Sequence, residues 1–328
     1  MKLVNLCAGA ALLAAMIAAK STAHAQSPNQ TAYPSQPVRV LVGFTAGSGP
    51  DVLARTVAAQ LSLDLKQQFY VENQAGANGT LAINTLVKAE PNGQTLLYSS
   101  SSITPIPYIY KSVRYDIVRD LVPIATVGVL DGLLMLVHPA MPVRTVPELI
   151  AYARQKRLVY GSPGVGNALH LATELFNLKA GVTIDHVPFR GTGDVTTALL
   201  SQTIHVMLVT PPSVLELAKD GQLRAIGFTG SKPFAEFPEL ALIKDVVPGY
   251  PVIGSWGMFY APLGTSAAII DKLNGAIRHA LHVPAVVKVV QAAGYVPDER
   301  TPAATAEFFK REVEAAAEAV AAANIKPN

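Results

Sequence analysis

Four short stretches of this 328-residue chain concentrate residues able to hold an anion. They are "FTAGSGPD" (residues 44–51), "NQAGANGT" (73–80), "GSPGVGNALH" (161–170) and "FRGTGDVT" (189–196). Each links a strand-like apolar run to a helix-like one. Each also combines glycine, which lets backbone approach a ligand, with a helix start whose free N–H groups and partial positive charge favour a negative group. The candidate contacts are Phe44, Thr45, Ala46, Gly47 and Ser48 in the first loop and Gly76, Ala77, Asn78 and Gly79 in the second. The third loop offers Ser162, Gly166, Asn167 and His170, and the fourth Arg190, Gly191 and Thr192. One Gly-rich turn before a helix is ordinary helix-start chemistry. Four at corresponding places point to a site, and two facing pairs can hold both ends of a small dicarboxylate.

The single side chains carry two readings each. Arg190 either pairs with a carboxylate through its planar fork or is a surface arginine on a turn. His170, in the first turn of a helix, either donates to a ligand or packs at the junction of two lobes. Asp51 and Asp194 read as loop-shaping carboxylates that satisfy first-turn N–H groups, because a charge aimed into the site would repel an anion. Ser99 opens a serine run, 99–102, that either offers hydroxyls to the site or is a plain polar strand exit.

Familiar catalytic patterns do not fit. Gly47-Ser48-Gly49 has Val52 where a dinucleotide-binding loop needs its third glycine, and Gly164-Val165-Gly166 has Leu169 there. No serine sits in a G-x-S-x-G elbow, no lysine follows a Gly-rich loop, and the seven histidines show no metal-type spacing. Cys7 is the single cysteine and lies in the leader described below, which leaves no disulfide, thiolate metal site or cysteine nucleophile downstream. The sequence therefore implies neither cofactor nor metal.

The elements that must position these loops alternate along the chain. "VRVLVGF" reads as a buried strand, and residues 50–65 place Leu53, Val57, Leu61 and Leu65 on one helical stripe. The alternation continues through "FYVEN", a helix near 80–89 and "TLLYSS", as expected of a parallel sheet covered on both faces. It breaks at "RDLVPIATVGVLDGLLMLVHP", where two apolar runs adjoin, and resumes from residue 146; "VIGSWGMFYAP" then leads back. The expectation is α/β: lobe 1 from 26–126 with 253–328, lobe 2 from 127–252, two crossings, and a central cleft facing the carboxyl ends of the strands.

Residues 1–25 read as a cleaved signal peptide: Lys2, an apolar run from Leu6 to Ala19, then Ala23-His24-Ala25 before the cut. The net charge of +3 falls to about +1 without Lys2 and Lys20, and no basic run remains, which excludes a nucleic-acid footprint. Half the residues are hydrophobic and 15% charged, a balance suited to a packed α/β protein.

The segments "YPSQPVRVLVGFTAGSGPDVLAR", "VENQAGANGTLA", "YGSPGVGNALHLATELF", "HVPFRGTGDVTTALLSQTIHVML" and "WGMFYAPLGT" resemble, in order, signature segments of the tripartite tricarboxylate transporter substrate-binding proteins, the TctC or Bug family. The resemblance implies a monomeric, type II-like Venus-flytrap receptor in the periplasm that captures a small organic carboxylate for a membrane permease, without chemistry. It also implies that backbone amides and water of loops 44–51 and 73–79 hold the carboxylate while loops 162–170 and 190–194 close over it. Three departures stand out: in the first loop Thr45 replaces the family's proline and Ser48 its second glycine, while Gly47 and Asp51 remain, and in the fourth Phe189-Arg190-Gly191 replaces Tyr-Lys-Gly. Two other readings share the scaffold: a secreted hydrolase or lyase using Ser162 and His170, and a receptor that reports to a signalling partner.

Overall fold

The computed structural model describes residues 33–322; the leader expected at 1–25 lies outside them. The chain forms two sheets. The first contains β1 (Val38–Val42), β2 (Phe69–Asn73), β3 (Thr95–Ser100), β4 (Leu121–Leu130), β10 (Ser255–Pro262) and β11 (Val296–Pro297), in the order β11-β4-β10-β3-β1-β2. The second contains β5 (Leu134–Val137), β6 (Leu158–Ser162), β7 (Ile184–Pro188), β8 (Val206–Val209) and β9 (Arg224–Phe228), in the order β7-β6-β8-β5-β9. The helices that carry the site are α1 (Gly49–Leu65), α2 (Thr80–Val87), α3 (Ile106–Ile109) and α4 (Ile117–Asp120), followed by α5 (Val146–Ala153), α6 (Ala168–Ala180) and α7 (Thr192–Leu200). Beyond β11, α12 (Pro302–Ala322) closes the described chain; between lie α8 (Leu215–Lys219), α9 (Ile243–Val246), α10 (Ala267–Ala280) and α11 (Pro284–Ala292).

The expected parallel sheets are in fact mixed. β1 pairs in parallel with β2 and β3, and β6 with β7 and β8. β10 runs against both β3 and β4, β11 against β4, and β5 against both β8 and β9. β5 and β10 are the strands on which the chain arrives from the other sheet, so their direction is set by the crossings rather than by a strand-helix-strand turn. β4 stays in the first sheet to Leu130, past the expected boundary at 126, and the first crossing is confined to 131–133.

The crossings are knotted together by Thr229, which is fully buried. Its Oγ accepts from the Leu133 amide at 2.7 Å and donates to the Ile253 carbonyl, and its own amide donates to the Leu133 carbonyl at 3.0 Å. Apolar residues of β5, β6, β8 and α6, with Leu133 and Tyr250, form one core of the second lobe, while Leu41, Leu97, Trp256, Tyr260 and Phe309 anchor that of the first. α12 packs on β4 and also reaches α6, where Val320 meets Leu171 and Ile109. No helix among the described residues is long and apolar enough to cross a membrane.

Candidate functional site

A cleft of about 1050 Å³ opens between the two sheets, and all four Gly-rich loops contribute to its wall. Loop 43–50 and the start of α1 face loop 163–169, the start of α6 and residues 189–194 at the start of α7. Of the candidates named from sequence, Phe44, Thr45, Ala46, Gly47, Ser48, Gly76, Asn78, Asn167, Arg190, Gly191, Thr192 and Asp194 line this cleft. Arg190 and Asp194 are the charged side chains among the lining residues, and neither makes an ion pair among the described residues.

The remaining candidates lie behind the wall and shape it. Asp51 is 2% exposed and its carboxylate accepts from the Gly47 amide at 2.8 Å, from Arg55 Nε at 3.0 Å and from Asn73 Nδ2 at 2.7 Å. Burial pushes its carboxyl pKa up, but the bonds from Arg55, Asn73 and Gly47, with the Arg55 charge, outweigh burial and hold it below the usual carboxylate range. The Asn73 amide also donates to the Phe44 carbonyl at 3.0 Å, so loop 44–51 is held by β2 as well as by α1. Gly47 is at φ +79° and its N–H is engaged by Asp51, so the donors this loop can offer a ligand are other amides. Gly79 is buried and does not reach the cleft; a Cβ on Gly43 would stand 2.6 Å from its Cα, so this glycine pair lets the first two loops touch. Ala77 belongs to a 3-10 turn, Ala77–Gly79, that leads into α2. Ser99 is buried within β3, and its neighbours Ser100, Ser101 and Ser102 line the cleft instead.

The second lobe repeats this arrangement with different chemistry. His170 is 6% exposed, and its Nδ1 accepts from the Gly166 amide at 2.9 Å. An imidazole nitrogen that accepts is unprotonated, and burial pushes the His170 pKa down to about 4, so the ring is neutral with its hydrogen on Nε2. Its ring stacks at 4.0 Å on His186, whose pKa burial, then His170, also lowers to about 4. Tyr160 stacks on His186 at 4.9 Å and donates to Glu174. Ser162 is fully buried; its hydroxyl donates to the Gly164 carbonyl at 3.0 Å and lies 2.7 Å from His186 Nε2. One hydroxyl proton serves one acceptor, so His186 Nε2 is the donor in that second contact. The Ser162–His170 pair needed for a hydrolase therefore does not form, and the serine that has a histidine partner lies beneath the loop. Gly166 fits against Ile109, where a Cβ would be 2.7 Å from the isoleucine.

Several cleft residues escaped the sequence reading. Tyr110, just beyond α3, donates to the Val165 carbonyl at 3.2 Å, and Asn78 Nδ2 donates to the same carbonyl at 3.1 Å and to the Tyr110 hydroxyl at 3.0 Å. Asn78 adopts φ +55° to do so, the left-handed region that asparagine tolerates better than most residues. Asn167 reaches Ser102 at 3.4 Å. These contacts join the first sheet's loops to the second's across the cleft. Ser255 and Tyr295 line it from the second crossing and from the turn before β11. The run "PIPYIY" contained the only local signal for Tyr110, an aromatic after a proline-bracketed turn; Tyr295 follows Gly294 without any periodic pattern.

Two α/β lobes, two knotted crossings and opposed helix-starting loops around one cleft define a solute-binding receptor. The chain belongs to the tripartite tricarboxylate transporter family receptor group, TctC, whose family model matches residues 53–325. It is 34% identical over 289 residues to protein BugT of Bordetella pertussis, covering 86% of this chain and 87% of that one. Among solved structures it is similar to Rpa4515 of R. palustris with adipate, at 29% identity and TM-score 0.82 over 90% of this chain and 100% of the other. It is also similar to MatC of Rhodopseudomonas palustris with bound malate, at 25% identity and TM-score 0.79 over 88% and 100%. This chain is accordingly a solute-binding receptor of that family and not an enzyme.

Proposed function

We propose that the cleft captures a small organic carboxylate and that the closed complex presents it to a membrane permease of the tripartite type. The observation that carries this reading is the opposition of loops 43–50 and 75–79 to loops 163–169 and 189–194 across one cleft, each ending in a helix start. Adipate in Rpa4515 and malate in MatC, both held by chains of this fold, support a dicarboxylate. In this reading backbone amides of the first lobe take one carboxylate, and the unpaired Arg190 takes the second or shields a monoanion. Lobes of residues 26–126 with 253–328 and of 127–252, their boundary in β4 moved to Leu130, rotate about the Thr229 knot. The ligand shifts the population towards the closed form by its higher affinity for it. The receptor works as a monomer exported by the signal peptide at its start.

The test is a thermal-shift screen of ligand-stripped protein against mono- and dicarboxylates, because a ligand that binds only the folded state raises the unfolding temperature by mass action. At least one acid should stabilise the protein in a concentration-dependent way. Stabilisation by none of a broad panel of organic anions overturns the reading.

A further inference from the structure

At the hinge end of the cleft three hydroxyls stand in a row. Ser101 Oγ, in the turn after β3, lies 3.1 Å from Ser255 Oγ, the first residue of β10, which lies 3.4 Å from the Tyr295 hydroxyl. All three line the cleft. Good O–H···O bonds measure about 2.5–3.0 Å, so both links in the row are long. Three hydroxyls supply three protons and about six lone pairs, and two links use two of each. The row keeps at least one donor and several acceptors, and a partner able to offer shorter bonds has the advantage over the existing ones. Burial pushes the Tyr295 pKa up, against a smaller lowering from the Ser255 bond, so its proton stays on and the row carries no charge. An uncharged row with both donors and acceptors suits a group that itself gives and takes a hydrogen bond. A second carboxylate accepts only, and the cation suited to it is Arg190, on a loop of the other lobe.

Resting on the carboxylate reading above, we propose that Ser101, Ser255 and Tyr295 form a neutral specificity subsite that selects acids bearing a hydroxyl group on the carbon skeleton. Its position ties selection to closure. Ser255 begins the strand that leaves the Thr229 knot, and Tyr295 packs against the core of the second lobe, so a ligand oxygen bonded to the row braces both lobes at the hinge. Because the hydroxyls can satisfy one another when the ligand lacks this group, the discrimination is modest. It should be about tenfold, the worth of one neutral hydrogen bond, and far below the rejection seen where a buried group is left unpaired.

Calorimetric titration of the purified receptor with matched pairs tests this: malate against succinate, 2-hydroxyglutarate against glutarate, 4-hydroxybenzoate against benzoate. In at least one pair the hydroxylated acid should bind about tenfold more tightly. That ratio should fall towards one in Ser255→Ala and Tyr295→Phe and recover in Ser255→Thr. The ratio compares two ligands on one variant, so a general weakening of the fold cancels from it. Equal affinities within every pair that binds, or a ratio unchanged in both variants, overturns the subsite while leaving carboxylate capture standing. Binding of no acid in the panel overturns both.

Discussion

His170 makes the shape of the third loop dependent on pH. Its Nδ1 can accept from the Gly166 amide only while unprotonated, and burial has pushed its pKa from 6.5 to about 4. In the unfolded chain the ring regains its ordinary value, so between 6.5 and about 4 the unfolded state binds a proton that the folded state refuses. The stabilisation is fully present above 6.5 and is lost as pH falls towards 4. At 1.36 kcal/mol per pH unit the full displacement amounts to about 3 kcal/mol from this residue. The groups facing it are His186, stacked on its ring, then Tyr160 and, behind Tyr160, Glu174. His186 titrates in the same direction and adds to the fall. Urea unfolding of the wild type and of His170→Gln across this window measures the effect, since glutamine can accept from Gly166 but does not titrate. The variant should lose about 3 kcal/mol less stability than the wild type over the same interval. Carboxylate affinity should fall in acid for the wild type and persist further down in the variant. Parallel stability curves for the two proteins would refute the assignment of this proton to His170.

Five further outcomes follow from the clamps and contacts of the cleft. Asp51→Asn removes a buried charge that three donors share and should cost roughly 1–3 kcal/mol in thermal unfolding together with ligand affinity; Asp194→Asn, which removes an unpaired carboxylate from the cleft wall, should tighten anion binding in calorimetry. Gly43→Ala sets a methyl 2.6 Å from the Gly79 Cα and should cost about 1–3 kcal/mol and most of the affinity in a salt-independent way, whereas Arg190→Ala should weaken dianions more than monoanions, with a difference that shrinks as salt rises. Tyr110→Phe leaves Asn78 as the remaining side-chain donor to the Val165 carbonyl and should weaken closure by about 0.5–1.5 kcal/mol, read as a larger radius of gyration in X-ray scattering with unchanged helix content.

Local pattern carried most of the elements. The stripe Leu53, Val57 and Leu61 is buried as its spacing requires, and the apolar runs at 121–130 and 134–137 are the strands between which the chain crosses. Strand direction was not legible, because β5 and β10 take theirs from where a crossing delivers the chain, a long-range matter without local signature. The short helices α3, α4 and α9 were missed for a related reason: four residues are too few for a hydrophobic period. The loops themselves were legible through glycine and capping chemistry, yet Gly79, Ser99 and Ser162 were expected in the cleft and lie beneath it. Composition tells that a segment turns before a helix, but only tertiary contact decides which of its atoms face outward. Tyr295 is the opposite case, a cleft residue brought in by pairing between β11 and β4.

The two lobes reach the same loop geometry by unlike means, and this bears on what the cleft can hold. In both, a side chain in the first helical turn accepts the amide of a glycine four residues earlier: Asp51 from Gly47, His170 from Gly166. The pairing fixes each loop through its glycine amide, and further bonds within the turns add to it: the Ser48 amide donates to the Thr45 carbonyl at 3.2 Å, and the Leu169 amide to Asn167 Oδ1 at 3.0 Å. In the first lobe the acceptor is an anion, yet Arg55 lies at 3.0 Å from it and Asn73 at 2.7 Å, so its charge is compensated behind the loop rather than projected forward. In the second lobe the acceptor is a neutral ring and needs no compensation while it stays unprotonated. Protonating His170 would break its bond to Gly166 and put a positive charge beneath a loop that has no counter-ion built for it. The first clamp survives acid until a carboxylate held below its usual range is titrated, whereas the second begins to fail near the ordinary imidazole value as soon as the loop opens. Acid should therefore loosen the closing lobe before the cradle of the first, and a ligand released on acidification should leave a first lobe whose loops still resist amide exchange.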